Sequence, residues 1–531
     1  MELDTERAEQ LPAELTPDRY DAGGLRASRG EIAIKATVLK DLDFGARVAE
    51  DEATALASYF VETEQWNQVW NDDVDIVYGA KGAGKSAIYA TLVAREPQLL
   101  DRDIIISPAE NPQGSPAFSS LPRDEKISED QFTFLWKLYL LSVIVDKLQD
   151  QGINNSDVRE LVKTLSDEGV LPGRRVSLKK KLANVWAYIR RDIGEIEPNL
   201  DGLGGVVSGG LRIQFREPTP GQRSAGAVAV DDLLEKADNA LRRADLSLWL
   251  LIDRLDVAFA GDPDLEQSAL RALFKVYLDM GSIDRIRLKI FLRSDIWKAI
   301  TEKGFREASH ITRELTLQWD YDSLLQLTTQ RLIRSPKLRA FYNVPNVTVL
   351  PTDDQHDLFL RVCPPQVENG PNKPMTFAWC LSRTSDASKQ TAPRELIHLL
   401  SETRLVQLRR QELGQNAPAG SQLFDGISFK EALPAVSEVR LTKTIYAEHP
   451  DLREYIKALE GHKTHHNAQS LASIWEIPEE QAKTIATQLI EIGFFEKKPP
   501  QEFWVPFLYR PALGLVQGRA DGVGVDAGSE E

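Results

Sequence analysis

The chain has 531 residues, of which 42% are hydrophobic and 27% charged, and its formal net charge is −16. This length predicts several domains with an ordinary globular composition, and the negative charge argues against one large, constitutive nucleic-acid surface, although not against a local basic patch. Two cysteines, an acidic N-terminus and the lack of an apolar run of membrane-spanning length favour a cytoplasmic protein without disulfides or membrane contact.

The first part of the chain is predicted to lead into a nucleotide-binding core. Residues 1–38 are polar and are expected to form a flexible segment. Residues 39–320 are expected to form the core, with residues 150–245 as a helical and loop insertion. The helical pattern through Leu56 and Phe60 either packs the fold or lies against a nucleotide base, and the sequence favours neither.

A phosphate-binding motif follows a short β-prone run at Asp75–Tyr78 and precedes a helical pattern. Residues Gly79–Ser86 fit G-x-x-x-x-G-K-[ST], the Walker A motif. Its glycines permit a tight turn that aims backbone N–H groups at phosphate oxygens, and the helix N-terminus adds partial positive charge. Lys85 is expected to reach the β and γ phosphates, and the Ser86 hydroxyl to bind Mg²⁺. The predicted binding residues for ATP are Gly79, Ala80, Lys81, Gly82, Ala83, Gly84, Lys85, Ser86 and Ala87. An accidental glycine-rich turn is the disfavoured alternative, because strand and helix both flank the motif.

The insertion carries a concentration of positive charge. Arg174, Arg175 and the lysines at 179–181 lie on a predicted helix, 174–191, whose other side is apolar. This basic face could meet nucleic acid, a partner or an acidic surface, although most such runs are simply solvated.

A second nucleotide-site motif is the apolar run 248–252, which ends in Asp253. Such a run is typical of a strand buried on both faces of a parallel sheet, and its carboxyl end lies where these sheets bind ligands. Asp253 is therefore a predicted Walker B carboxylate that would hold Mg²⁺ through a water. Asp256 is a candidate base that orients the attacking water, and a loop or capping role for it is equally compatible with the sequence.

The next predicted strand, 288–292, ends in Arg293, Ser294 and Asp295. A polar group at the end of this strand could sense the γ-phosphate, and Arg293 is the principal candidate. Further along, Arg306 or Arg313, in a polar segment that also holds His310, could act in trans on a neighbouring subunit, although a surface role is more common for any single arginine.

Residues 321–413 are predicted to form a helical lid. A helix opens at Pro393, which suits the first turn of a helix, and places Arg394 where it could reach phosphates.

The C-terminal region is predicted to contain a linker, a compact module and a tail. Residues 414–436 are rich in Gly, Pro, Ala and Ser and are expected to be the linker. Residues 437–515 show helical patterns followed by a predicted hairpin, a winged-helix pattern. Residues 516–531 are expected to be disordered.

Together these motifs resemble bacterial P-loop ATPases of the AAA+/STAND side, near the origin-recognition ATPases. The resemblance implies an α/β fold: a P-loop NTPase core with a parallel sheet flanked by helices, then a helical lid and a C-terminal winged helix. It also implies ATP and Mg²⁺ as ligands and a phosphate-sensing role for Arg394. The chain departs from many such ATPases at Arg254, where they carry a glutamate, and this puts the speed of hydrolysis in doubt.

Three functions follow as hypotheses. The first is an ATP-hydrolysing regulatory ATPase whose nucleotide state controls assembly with itself or with a partner effector protein, in phage or mobile-element defence. The second is a DNA-binding ATPase of replication, partition or transposition, acting through the winged helix or the basic helix 174–191. The third is a nucleotide-binding scaffold with little hydrolysis, a reading that Arg254 keeps open.

Overall fold

The structure is a computed structural model, and it describes residues 29–46, 56, 60–109, 127–171, 176–194, 212–255, 263–302, 304–389, 391–415 and 417–520. Its α-helices are α1 (Arg29–Asp41), α2 (Glu64–Trp70), α3 (Lys85–Ala94), α4 (Glu96–Leu100), α5 (Glu129–Asp150), α6 (Ser156–Asp167), α7 (Leu178–Gly194), α8 (Pro220–Ser224), α9 (Val230–Arg243), α10 (Pro263–Asp279), α11 (Ser294–Glu302), α12 (Tyr321–Ile333), α13 (Pro336–Tyr342), α14 (Thr352–Val362), α15 (Thr376–Thr384), α16 (Pro393–Glu412), α17 (Gly426–Arg440), α18 (Tyr446–Glu448), α19 (Arg453–Lys457), α20 (Ala468–Trp475) and α21 (Glu479–Glu491). Its β-strands are β1 (Ile76–Gly79), β2 (Ile104–Pro108), β3 (Ile213–Gln214), β4 (Val228–Ala229), β5 (Ser247–Ile252), β6 (Ile286–Arg293), β7 (Glu314–Thr316), β8 (Lys463–His466), β9 (Glu496–Lys498), β10 (Glu502–Trp504) and β11 (Val516–Arg519).

The chain forms two compact units. One, the sheet unit, consists of residues 53–57 and 62–317. The other, the helical unit, consists of residues 1–52, 58–61 and 318–531. Each unit has its own hydrophobic core.

The sheet unit is built on a five-stranded parallel sheet in the order β2-β5-β6-β1-β7. Every residue of β1 is buried, and in β5 only Ser247, at its start, is not fully buried. Strands covered on both faces need continuous apolar runs, which explains why 248–252 contains no polar residue. The predicted α/β class, with a parallel sheet flanked by helices, is confirmed.

Helix α5 is the largest element that covers the sheet. A capping box starts it, because the Ser128 side chain accepts from the backbone N–H of Gln131 while the Gln131 side chain accepts from that of Ser128. It is apolar almost all round, and most of its side chains are buried, as expected for a helix enclosed by other elements. Helices α6, α7, α9 and α10 all pack against it.

The described residues between 150 and 245 belong to the sheet unit and contribute to its core. Leu182, Val185 and Ile189 on α7 belong to the same hydrophobic core as the sheet strands. The predicted basic face of this helix is wrong at Lys181, which is 3% exposed and forms an ion pair with Asp146 of α5. Lys179 and Lys180 are exposed, whereas Arg174 and Arg175 lie outside the described residues.

A cluster of buried charges lies level with the amino end of β1. Lys289 on β6 is 1% exposed. Its Nζ lies 2.9 Å from the Asp75 Oδ1 and 2.5 Å from the Asp72 Oδ1. The Arg313 Nε, just before β7, lies 2.7 Å from the Asp75 Oδ2. Three strands are thus linked by charge-assisted hydrogen bonds around one carboxylate. The Arg313 guanidinium is bonded to Asp75 of its own chain, which argues against its action on the nucleotide of a neighbouring subunit.

The helical unit begins with α1, so the predicted flexibility of residues 1–38 is wrong for 29–38. Val38 and Leu39 are buried in the core of the unit, and the Lys35 Nζ donates to the Pro418 oxygen at 2.8 Å. The Arg404 Nε on α16 donates to the Leu39 oxygen at 2.7 Å. Residues 1–28 lie outside the described residues.

The C-terminal part contains more regular structure than the composition indicates. Helix α17 occupies residues predicted as linker, and the Asp425 side chain caps it by accepting from the Ser428 N–H at 2.8 Å. Strand β11, in the predicted tail, pairs in parallel with β8. The linker and tail predictions are therefore wrong at 426–436 and 516–519, and residues 521–531 lie outside the described residues.

The predicted hairpin is confirmed as β9 and β10, which pair antiparallel in a sheet of order β11-β8-β10-β9. Two of the helices predicted before it are present as α20 and α21. In the part of the chain that the structure describes, no helix is both long and apolar enough to cross a membrane.

The buried cluster predicts a large effect on stability when its central carboxylate is removed. Asp75→Ala should lower the free energy of unfolding by about 3 kcal/mol, the lower end of the range for a broken buried ion pair, because Lys289 would keep only Asp72 as a carboxylate partner. Denaturant unfolding followed by circular dichroism measures this. The matched control is Asp73→Ala, since Asp73 is an exposed carboxylate two residues away and its loss should change the free energy by less than about 0.5 kcal/mol.

The effect of Asp75 should also depend on pH. Burial raises the pKa of Asp75, but the positive charges of Lys289 and Arg313 lower it by more, so this pKa lies below its ordinary value. A carboxyl group with a depressed folded-state pKa stabilises the fold above its unfolded pKa, and that stabilisation is lost as the pH falls through the folded value. The stability difference between wild type and Asp75→Asn should therefore be constant above about pH 5 and shrink below about pH 4. A difference that does not change with pH would contradict the charge cluster.

Candidate functional site

The loop between β1 and α3 has the backbone conformation that a phosphate cradle requires. Gly82 has φ +85° and Gly84 has φ +102°, a region that side chains other than glycine rarely occupy. Gly84 is the N-cap of α3, and the Ala83 N–H donates to the Ala80 oxygen at 3.1 Å. The loop therefore turns tightly and ends at the N-terminus of a helix, where orphan N–H groups attract anions.

Lys85 folds back over this loop. Its residue exposure is 9%, and its Nζ donates to the Gly79 oxygen at 2.7 Å and to the Ala80 oxygen at 3.1 Å. Both acceptors are neutral carbonyl groups, which bind an ammonium group more weakly than phosphate oxygens do. The side chain is thus held beside the loop and can exchange these contacts for phosphate oxygens.

Gly79 is required for close packing rather than for a special φ angle. A Cβ at this position would lie 3.1 Å from the Ala83 Cβ and 3.3 Å from the Leu317 Cβ. Leu317 also donates its N–H to the Tyr78 oxygen at 2.7 Å. It thus supports the base of the loop, a role that sequence reasoning missed, because a leucine after a short strand gives no signal of a site.

Ser86 and Asp253 meet at the centre of the site. The Ser86 Oγ, in the first turn of α3, donates to the Asp253 Oδ2 at 2.8 Å, although the two residues are 167 positions apart. Asp253 directly follows β5 and is 6% exposed. Because β6 separates β5 from β1, the contact spans two strand spacings, about 10 Å. The structure brings together the two residues that the sequence predicts as ligands of Mg²⁺.

Arg293 lies beside the loop as well. It ends β6, directly opposite Gly79 in the parallel register, and 16% of its side chain is exposed. Its guanidinium makes a two-pronged contact with Asp295, with Nε 3.0 Å from Oδ1 and Nη2 2.7 Å from Oδ2. Its location agrees with the predicted sensing role, and Asp295 would have to release it for contact with a phosphate.

Arg254, which follows Asp253, has φ +60°, a left-handed conformation that is uncommon for residues other than glycine, asparagine and aspartate. Such strain persists only where the surroundings enforce it, and it often marks a functional site. Asp256, the candidate base, lies outside the described residues.

Arg394 belongs to the helical unit. It is half-buried in the first turn of α16, and Pro393 takes the first helical position, as the sequence predicts. Its contact with a phosphate stays a prediction, because the loop at Gly79–Ser86 belongs to the sheet unit.

These features define a class of protein. The fold is of the P-loop type: β5 and β1 lie on either side of β6 in a parallel sheet, and a strand–loop–helix carries the Walker A sequence beside a carboxylate at the end of β5.

Comparisons with known proteins add distant similarities. No protein-family model matches the sequence. The chain is 24% identical over 310 residues, 55% of its length, to the putative transposon gamma-delta 80.3 kDa protein of Escherichia coli (strain K12), and this match covers 40% of that protein. The chain thus matches less than half the length of that relative.

Three solved structures show a weak similarity to this chain. The Walker-type ATPase paby2304 of Pyrococcus abyssi has a TM-score of 0.36 and 11% identity, with 86% of this chain and 96% of that chain covered. The Aeropyrum pernix ORC1 protein, solved in complex with DNA, has a TM-score of 0.35 and 11% identity, with 90% and 96% covered. The Aeropyrum pernix ORC2 protein, solved in ADPNP–ADP complexes, has a TM-score of 0.29 and 12% identity, with 90% and 98% covered.

Proposed function

We propose that this protein is an ATP-binding and ATP-hydrolysing regulatory ATPase of the AAA+ kind, whose nucleotide state controls assembly with itself or with a partner protein. The observation that carries the proposal is the 2.8 Å contact between the Ser86 Oγ and the Asp253 Oδ2. It joins the two sequence motifs into one site beside a loop shaped for phosphate. A role in phage or mobile-element defence is a further hypothesis, and it rests on the sequence resemblance alone.

The residues present fit a nucleoside triphosphate with Mg²⁺. The N–H groups of the 80–84 loop and the start of α3 would bind phosphate oxygens, and the Lys85 ammonium would move from its two carbonyl acceptors to the β and γ phosphates. Magnesium prefers a few protein oxygens together with waters and phosphates. The Ser86 hydroxyl and the Asp253 carboxylate would supply those oxygens, and the bound ion would neutralise charge on the phosphates.

Hydrolysis further requires a group that orients the attacking water. Asp256 is the proposed base, and Arg293 the proposed phosphate sensor. Arg254 stands where related ATPases carry a glutamate, and an arginine cannot accept a proton from water. Slow turnover follows from this arrangement, and slow turnover suits a switch, which must hold one nucleotide state long enough for a partner to respond.

The site predicts that hydrolysis depends on Lys85. Lys85→Ala should lower the rate of phosphate release by at least about 100-fold, since electrostatic stabilisation of the transferred phosphoryl group dominates this chemistry. The matched control is Lys298→Ala, because Lys298 is an exposed lysine of α11 whose side chain is 66% exposed, and its loss should leave the rate unchanged. Equal rates for wild type and Lys85→Ala would contradict the proposal. A protein that binds ATP but shows no turnover above that of Asp256→Ala would be the nucleotide-binding scaffold instead.

The regulatory part of the proposal predicts a change of mass. With ATP and Mg²⁺, the wild-type protein should form a larger species than with ADP in light scattering behind a sizing column. Arg394→Ala should retain ATP binding but lose this difference, because Arg394 is the proposed lid contact that reports the γ-phosphate. A mass that is identical with ATP, with ADP and without nucleotide, at concentrations that saturate the site, would rule out nucleotide-controlled self-assembly.

A DNA-binding ATPase is the second candidate. Its support is the order of elements in the C-terminal part, where α20 and α21 are followed by the β9–β10 hairpin, as in winged-helix DNA-binding modules. If this function is correct, duplex DNA should raise the rate of ATP hydrolysis several-fold at low salt, and the effect should decrease steeply as salt increases. Absence of any DNA effect on a Lys85-dependent rate would favour the first candidate.

A further inference from the structure

Two arginines in the helical unit share one aromatic ring, and neither is neutralised by a carboxylate. Arg383 on α15 has its guanidinium carbon 3.6 Å from the centre of the Phe507 ring, and that of Arg510 lies 4.0 Å from the same centre. In the part of the chain that the structure describes, neither arginine forms an ion pair within 4.0 Å. Both guanidinium groups therefore contact the same aromatic ring.

The hydrogen bonds of Arg510 do not offset its charge. Its Nε donates to the Val505 oxygen at 2.8 Å and its Nη1 to the Gln517 Oε1 at 2.5 Å, and both acceptors are neutral. Its Nη2 is buried and has no hydrogen-bond partner among the described residues, although Arg510 is only 8% exposed. Burial and the neighbouring Arg383 lower the pKa of Arg510 to about 10, which indicates an unfavourable site for a cation.

Arg383 is similarly under-compensated. Its Nη1 donates to the neutral Ser382 Oγ at 2.9 Å. The carboxylate that acts on it electrostatically is Glu368, which already lies 3.2 Å from the Lys373 Nζ and 4.0 Å from the Lys430 Nζ. A buried or half-buried guanidinium is normally paired with an anion, because its desolvation is otherwise not repaid. In a chain with net charge −16, an uncompensated pair of this kind is a strong signal of an anionic ligand.

The surroundings of the pair indicate which anion. Trp504 and Phe507 are both partly exposed, and their rings lie 5.3 Å apart in an edge-to-face arrangement. The Arg510 guanidinium carbon lies 4.5 Å from the centre of the Trp504 ring. The Lys498 Nζ lies 5.3 Å from the same centre and is paired with the Glu496 Oε1 at 2.8 Å. Cations interleaved with accessible aromatic rings are the composition of surfaces that bind single-stranded nucleic acid, where phosphates meet the cations and unpaired bases stack on the rings. A guanidinium fork also matches the geometry of phosphate oxygens.

We infer that Arg383 and Arg510 form a phosphate site for a single-stranded nucleic acid, with Trp504 as the stacking surface beside it. This inference deepens the second candidate function, because it gives the C-terminal part a defined contact, and it does not depend on ATP hydrolysis. The site joins α15 to the segment that follows β10, so it lies outside the helix pair α20–α21.

The test is binding of a fluorescein-labelled oligodeoxythymidine of about twelve nucleotides, followed by fluorescence anisotropy at several salt concentrations. Arg383→Gln should weaken binding about tenfold and make the salt slope shallower by about 0.7, as expected for the loss of one phosphate contact with a single strand. Trp504→Ala should weaken it by a similar factor through lost stacking. Arg409→Gln is the matched control, because Arg409 is an exposed arginine of the same unit, and its removal changes the net charge equally but should not change the affinity.

Arg510 is tested by Arg510→Lys, which keeps the charge but loses the fork, and thermal unfolding of each variant establishes that it folds. If Arg510→Lys does not fold, Arg383→Gln and Trp504→Ala decide alone. Equal effects of Arg383→Gln and Arg409→Gln would overturn the site but leave the second candidate function standing. No binding of the oligonucleotide at low salt would also overturn the site, and the second candidate function would then depend on the effect of duplex DNA on hydrolysis. Preference for duplex of the same sequence, or Arg383-dependent binding of inorganic phosphate or ATP in place of the oligonucleotide, would overturn the assignment to single strands.

Discussion

The hydrogen bond between Ser86 and Asp253 is the contact on which the proposed chemistry depends. Ser86 is placed by the helix that follows the glycine loop, and Asp253 by a strand two positions away in the sheet. A shift of either element by one residue would move its side chain to another face, since side chains alternate along a strand and rotate around a helix. The apolar burial of β1, β5 and β6 therefore fixes the site as well as the core, because it fixes their register.

Charged side chains at the two ends of the sheet have different kinds of partner. At the amino end of β1, Asp75 is bonded to Lys289 and Arg313, so the charges compensate one another within the protein. At the carboxyl end, the Lys85 Nζ donates to the Gly79 and Ala80 carbonyl oxygens, and the loop around it presents N–H groups. A cluster of bonded opposite charges holds strands together, whereas a lysine beside a glycine loop and a helix N-terminus is suited to an anionic ligand. A lysine lies at each end of the sheet, Lys289 and Lys85, and the residues on neighbouring strands determine which partners each one has.

Much of the sheet unit could be predicted, because its signals are local. The glycine spacing of the Gly79–Ser86 motif predicts a phosphate-binding turn between a strand and a helix. The continuous apolar run that ends in Asp253 predicts an inner strand of a parallel sheet. Predictions failed where tertiary partners decide. Composition indicates a linker at 414–436, but Asp425 caps a helix there, and Val516 pairs with β8 although its neighbours are glycine-rich. The sequence predicts Lys181 as part of a basic face, but Lys181 is buried and forms an ion pair with Asp146 on another helix. Nothing in the local pattern of these residues reveals the partner.

Two buried arginines in the helical unit differ in whether carboxylates balance their charge. Arg440 is buried, but its Nη1 lies 2.9 Å from the Glu395 Oε1 and its Nη2 lies 3.2 Å from the Asp386 Oδ2. The charge of this buried guanidinium is thus balanced by two carboxylates. Arg510 is buried in the same unit and receives none, and it has Arg383 as its neighbour instead. Because Arg383 and Arg510 repel each other, a phosphate at the inferred site would offset a repulsion that lowers the stability of the unit when the site is empty.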